Sequence, residues 1–109
     1  MALNNFYKET TKKFNITIDY NDSTPDITND TVTFVMKNEK TESATNVLSS
    51  EADVATDGAS GVAAFTLSKE DTDLLAKQYY YQIVWDLSGG ERYVLEDGMV
   101  SVNDTILLE

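Results

Sequence analysis

The chain has 109 residues, 41% of them hydrophobic and 25% charged, a length and balance that suit one globular domain with a two-layer core and exclude a second. Its 19 Asp and Glu against 8 Lys and Arg give a net charge of -11, and the scattered basic residues form no cluster that could track a phosphate backbone, which argues against a nucleic-acid partner. Cys and His are both absent, so disulfides, thiolate and zinc sites, and Ser-His-Asp or Cys-His catalysis are removed before any motif is sought.

Residues 1–11 are polar apart from Leu3, Phe6 and Tyr7 and read as a lead-in without a secretion signal. No apolar run is long enough to span a bilayer, so membrane insertion is not expected. Phe14, Ile16, Ile18 and Tyr20 then recur at every second position with Asn15, Thr17 and Asp19 between them, the pattern of a half-buried strand. Residues 21–30 (NDSTPDITND) hold the only Pro and several turn-forming Asp and Asn, and predict a loop pinned by one apolar anchor, Ile27. A second strand follows over 31–37 (TVTFVMK), with Val32, Phe34 and Met36 on one face.

Residues 38–46 are polar, carry charges of both signs and read as a solvated connection, and residues 47–54 have the least pattern of any segment. Beyond them Asp57-Gly58-Ala59-Ser60-Gly61 offers two Gly for positive φ, and Ala63, Phe65 and Leu67 share a face of residues 62–67, so this region predicts a hairpin. Ser68 and Asp71 resemble a capping box, and Leu74 and Leu75 lie one turn on, which predicts a short helix over 69–76. In residues 79–87 (YYYQIVWDL) the odd positions Tyr79, Tyr81, Ile83, Trp85 and Leu87 form an apolar face, marking a central strand with Trp85 in the core. Ser88-Gly89-Gly90 predicts a tight turn, residues 92–96 a partner strand with Tyr93 and Leu95 inward, and Asp97-Gly98 another turn into residues 99–103. About seven short strands, one short helix and no βαβ rhythm define an all-β, antiparallel sandwich.

Few residues point to chemistry. Asp22, Asp26 and Asp30 supply oxygen ligands of the kind calcium takes, but without the spacing of a calcium loop they read as a solvated turn, and no metal or cofactor is expected. Tyr79, Tyr80 and Tyr81 with Trp85 offer a sugar-stacking platform, against which alternation sets Tyr81 and Trp85 in the core and leaves Tyr80 on the other side. A carboxylate pair at glycosidase spacing is uninformative in so acidic a chain, and the five Gly build turns, not a phosphate loop. No catalytic residue is assigned. The tail, residues 104–109, carries Ile106, Leu107 and Leu108 in succession, although Leu108-Glu109 also fits a cloning scar ahead of a purification tag.

Three segments resemble one family. Asp26-Ile-Thr-Asn-Asp-Thr-Val-Thr-Phe-Val-Met-Lys37 resembles a D-L-T-G-x-T-V-x-F-x-x-K strand entry. Gly61-Val-Ala-Ala-Phe-Thr-Leu-Ser68, with Asp71, Thr72, Leu75 and Tyr79 to Ile83, resembles G-x-x-x-F-x-L-S-x-x-D-T-x-x-L followed by Y-x-Y-x-I. Tyr93-Val-Leu-Glu-Asp-Gly-Met-Val-Ser-Val102 resembles a Y-x-L-x-x-G-x-F-x-V closing hairpin. Their order and spacing resemble the small immunoglobulin-like β-sandwich modules of tailed bacteriophages, typified by the N-terminal domain of phage baseplate upper proteins. Asn29 stands where that pattern has Gly and tolerates the left-handed conformation, whereas Lys77, also in a Gly position, is penalised there.

The resemblance implies an immunoglobulin-like fold and a non-enzymatic building block of a phage or prophage tail or baseplate, made in the bacterial cytoplasm and carried in the virion. Its partners would be other phage structural proteins or further copies of itself. Tyr80 and Val84, on the outward face of the central strand, and Ile106, Leu107 and Leu108 in the tail are the candidate docking residues. The alternative is a carbohydrate- or host-surface-binding module that uses Tyr80, Val84 and the loops.

Overall fold

The computed structural model describes residues 5–20, 23–39 and 46–103. Seven strands cross it: β1 (Asn5–Tyr7), β2 (Lys12–Thr17), β3 (Thr31–Lys37), β4 (Asn46–Glu51), β5 (Val62–Leu67), β6 (Gln78–Asp86) and β7 (Arg92–Asn103). Alternation in the sequence becomes a buried and an open face in each long strand. Val32, Phe34 and Met36 of β3 are fully buried while the residues between them are half-exposed, and Tyr79, Tyr81, Ile83 and Trp85 of β6 do the same.

The strands form a five-stranded sheet ordered β1-β7-β6-β3-β4 and a two-stranded sheet β2-β5. Two sheets packed face to face around one core make the chain an immunoglobulin-like β-sandwich of seven strands. The pairs are antiparallel except one: β1 runs parallel to β7, with Phe6 opposite Val102. The segment expected as a polar lead-in therefore contains a strand, and Phe6 is buried at its centre.

The two sheets meet through aromatic rings. Phe14 of β2 stacks on Phe65 of β5 with centroids 4.9 Å apart, and both turn toward Phe34 of β3, at 5.7 Å and 6.3 Å. Phe34 in turn lies 5.8 Å from Tyr81. Ile27 is fully buried, as its role of loop anchor requires, and its N–H donates to the Gly58 carbonyl. Trp85 is 2% exposed, and its indole Nε1 donates to Asp30 Oδ2 at 2.8 Å. The other Asp30 oxygen accepts from the Ser88 backbone N–H, so one carboxylate ties the entry of β3 to the β6–β7 turn.

Three local expectations give way to tertiary demands. Residues 69–76 form turns, not a helix. The capping box is present, since Asp71 N–H donates to Ser68 Oγ and Ser68 N–H to Asp71 Oδ2, but it closes a single turn. Thr72 is fully buried because its hydroxyl donates to the Thr10 carbonyl and accepts from the Thr10 N–H, and its own carbonyl takes the Glu9 and Leu74 amides where a helix would have given it the amide of Ala76. Neither Lys77 nor Asn29 is left-handed, and Leu75 stays 75% exposed.

The segment 57–61 is likewise not a hairpin turn. β4 pairs with β3 and β5 with β2, so the chain passes here from one sheet to the other through a 3-10 turn at Gly58–Ser60. Gly61, at φ 79°, closes the turn, and a Cβ there would sit 3.0 Å from Thr24 and 3.1 Å from the Pro25 carbonyl. Asp97-Gly98 is no turn either, because β7 runs through it unbroken opposite Gln82 and Tyr81. Gly98 makes room: a Cβ on it would lie 3.3 Å from Tyr81 Cε1.

Two measurable consequences follow from this packing. Trp85→Ala is expected to lower unfolding stability in urea by about 3–5 kcal/mol, and Asp30→Ala by about 1–3 kcal/mol through the unpaired indole N–H. A parent-like denaturation midpoint in either variant refutes the corresponding contact. Gly98→Val, which crowds the Tyr81 ring, is expected to cost about 1–3 kcal/mol in the same assay, whereas a turn residue there would leave valine's effect insensitive to Tyr81→Ala in a double-mutant cycle.

Candidate functional site

β6 has a second face, turned away from the core, and the register of its neighbours determines what stands beside it. Val84 lies between Thr33 of β3 and Val94 of β7, and Tyr80 lies between Lys37 of β3 and Met99 of β7. A row of Val35, Gln82 and Asp97, two of them polar, separates them. Adjacent strands stand about 4.8 Å apart, so each apolar pair is in side-chain contact range. Val94 is 54% and Met99 46% exposed, while Tyr80 and Val84 are half-buried by their neighbours.

The structure thus brings together two of the expected docking residues, Tyr80 and Val84, and adds Val94 and Met99, which the sequence reading did not single out. The signal for them existed. Both are out of phase with the inward-facing Tyr93, Val100 and Val102, but reading Asp97-Gly98 as a turn split β7 and hid the common face. Ile106, Leu107 and Leu108 lie outside the described residues, as does Asp22.

Asp26 and Asp30 do not converge on an ion. Asp26 Oδ1 accepts from the Thr28 N–H and hydroxyl, and Asp30 is committed to Trp85 and Ser88. Among the described residues no group of three or more His, Cys, Asp or Glu is placed to hold a metal ion. Among them also, no helix is long and apolar enough to cross a membrane.

The exposed aromatic residues gather elsewhere. Tyr20, 41% exposed, stands edge-on to Trp85 at 5.7 Å and 5.6 Å from Tyr93, and the two tyrosine hydroxyls are 3.4 Å apart. Tyr93 donates to Glu91 Oε2 at 2.8 Å. These hydrogen bonds, to Tyr20 first and Glu91 second, raise the Tyr93 pKa. At the other end of the strands Tyr79 is buried and donates to the Leu75 carbonyl, and Lys77 Nζ sits 5.3 Å above its ring. Tyr79, Tyr81 and Trp85 all face the core, as alternation requires, so no sugar-stacking platform is assembled at 79–81 and 85.

A groove of about 470 Å³ opens at the side of the sandwich, lined by Asn15, Ile16, Thr17, Ile18 and Asp19 on one wall and Leu95 and Glu96 on the other. Leu95 is the extra residue of a bulge in β7: Ile83 pairs with Glu96 and Val84 with Val94. Glu96 accepts the Tyr81 hydroxyl hydrogen bond at 2.6 Å.

No protein-family model matches the chain, and no curated protein matches it significantly. Among solved structures, that of murine CRIg is similar over 93% of this chain and 90% of its own, at 7% sequence identity and a TM-score of 0.42. A likeness this loose adds nothing to the topology described above.

The titrating groups bear on stability at the extremes of pH. The Thr28 hydroxyl and N–H hold Asp26 below its ordinary 3.8, and the Thr56 hydroxyl and N–H with the Ala55 N–H do the same for Asp53. A carboxylate with a depressed folded pKa stabilises above its unfolded value and loses that contribution as pH falls through the folded one. Burial raises Tyr79 above 10.0; its neutral form stabilises below the unfolded value, and the contribution disappears as pH rises through the folded one. With His absent, the melting temperature is expected to be flat from about pH 5 to 8 and to fall below about pH 4 and above about pH 10. A thermal transition that shifts sharply between about pH 6 and 7.5 contradicts this assignment.

Proposed function

We propose that this protein is a non-enzymatic assembly module of a phage or prophage particle, a sandwich that docks to other structural proteins through the outward face of its larger sheet. The observation that carries the reading is the two cross-strand apolar pairs Val84–Val94 and Tyr80–Met99 on the outer face of the sheet, with Val94 and Met99 exposed and Tyr80 and Val84 half-buried. Two apolar pairs on one face, parted by Gln82 and Asp97, offer a protein partner apolar area to bury together with polar groups to meet. The tail or baseplate location rests on the three-segment resemblance, and the absence of His and Cys from the sequence supports a role without chemistry. In that setting the module is made in the bacterial cytoplasm and carried in the virion.

One feature favours a second reading, in which the module binds a carbohydrate on a host surface. The exposed Tyr20 and the half-buried Tyr93 form an aromatic pair beside the Glu91 carboxylate, the kind of surface on which a sugar ring stacks and hydrogen-bonds.

Co-expression with the products of the genes flanking this one separates the two. The parent is expected to co-elute with a structural partner, and a Val94→Lys, Met99→Lys double variant with an unchanged melting temperature to lose that partner. Co-elution unaffected by the double variant overturns the docking face. Glycan-array binding that Tyr20→Ala abolishes and the double variant leaves intact favours the carbohydrate reading instead.

A further inference from the structure

The smaller sheet has two strands, and its two outer edges are not alike. Ile18 N–H donates to the Gly61 carbonyl at 2.8 Å, and the pairs Ile16–Ala63, Phe14–Phe65 and Lys12–Leu67 run in step with it. The even-numbered backbone groups of β2 therefore face β5, and those of Lys13, Asn15 and Thr17 face away. On the far side of β5 the edge is covered at two of its three outward residues: Asp53 exchanges hydrogen bonds of 2.8 Å and 3.0 Å with Ala64, and Asp57 accepts from Val62 N–H. On the far side of β2, among the described residues, no hydrogen bond reaches the N–H groups of Lys13, Asn15 or Thr17.

An open edge is ordinarily blunted by a charge, a proline or a bulge. β7 has such protection beside the groove, with its bulge at Leu95 and the charges of Glu96 and Asp97. The middle of β2, Asn15-Ile16-Thr17, has none of the three. Its charges stand at the ends and differ in sign: Lys12 and Lys13 at the start, and Asp19 at the finish with Glu96 across the groove.

We propose that the edge of β2 accepts an added strand from a partner protein. The segment runs antiparallel to β2, alternates apolar and small polar residues, and carries Lys or Arg at its N-terminal end and Asp or Glu at its C-terminal end. Its main chain pairs with Lys13, Asn15 and Thr17, its apolar side chains enter the groove beside Leu95, its cation meets Asp19 and Glu96, and its anion meets Lys13. The proposal rests on the reading of the protein as a docking module and names one way in which it docks. A second copy is disfavoured as the occupant because two chains of net charge -11 repel.

The probe is the acetylated, amidated peptide Lys-Val-Thr-Val-Thr-Val-Glu, whose own charges cancel, so that attraction to an acidic protein does not by itself bind it. Added to the full chain, it is expected to slow hydrogen exchange at the Asn15 and Thr17 amides about tenfold and to leave the amides that face β5 unchanged. Thr17→Pro removes an outward N–H that the β2–β5 ladder does not use, and is expected to weaken peptide binding about tenfold at an unchanged melting temperature. Methylating the amide nitrogens of both peptide threonines tests the same pairing with the parent protein and is expected to abolish binding. Exchanging the terminal Lys and Glu of the peptide is expected to weaken it about tenfold.

Equal binding of the methylated peptide overturns strand addition, as does unchanged exchange at millimolar peptide. Protection of Asn15 and Thr17 that rises with protein concentration alone, with a doubling of mass, assigns the edge to a second copy and overturns the proposed occupant. If the peptide fails while the Val94→Lys, Met99→Lys variant still loses its structural partner, strand addition is wrong and the docking module stands.

Discussion

Contact of Phe14 and Phe65 with Phe34 is the interaction on which the rest of the sandwich depends. Two strands alone are marginal in water, and β2 and β5 persist as a sheet because their inner face is buried against the larger one. Without Cys, no covalent bridge joins the layers. The hydrophobic effect must do so, at about 1.5–3 kcal/mol for each large side chain fully buried. Six residues supply that face, Phe14 and Ile16 from β2, Ile18 just beyond it, and Ala63, Phe65 and Leu67 from β5, and every one is buried. The offset and edge-on ring arrangements add a geometric preference that aliphatic side chains lack.

Polar side chains set the loops around this core. Asp30 holds Trp85 and Ser88 together, Thr72 joins the 68–76 segment to the chain after β1, and Glu96 receives Tyr81. Among the described residues no buried side-chain nitrogen or oxygen lacks a partner. An unpaired one would cost roughly 1–3 kcal/mol, a large share of a small domain's stability, so these few bonds decide where the connecting segments lie.

The surfaces left over are the ones available for function. The larger sheet closes one of its edges with β1 but leaves its outer face in solvent, and there the register of β6 against β7 matches Val84 to Val94 and Tyr80 to Met99. The smaller sheet is bridged at Val62 and Ala64 on the β5 side and has no backbone partner on the β2 side among the described residues. A flat face suits a preformed surface, whereas an open edge suits an extended segment that orders on arrival, so the two can serve different contacts of one assembly.

Properties that depend on neighbours two residues away were legible in the sequence. Val32, Phe34 and Met36, the odd positions of 79–85 and the anchor Ile27 all went to the core as their pattern requires, because a strand's side-chain period is local. Parity likewise placed Tyr80 and Val84 on the outer face, half of the apolar surface that the fold assembles there. Partners were not legible. Asp97-Gly98 has the composition of a turn, yet Gly98 serves to admit the Tyr81 ring from the adjacent strand. Ser68 and Asp71 do form a capping box, but the helix behind it is given up because Thr10 engages Thr72. Phe6 sits in a strand of three residues, too short to show a period, and is buried only because β7 runs beside it. β4 and β5, consecutive in the chain, belong to different sheets, and the edge of β2 is open because no third strand joins it among the described residues. Backbone groups are chemically alike at every residue, so alternation marks which side chains turn inward, while long-range packing alone selects which strand each edge meets.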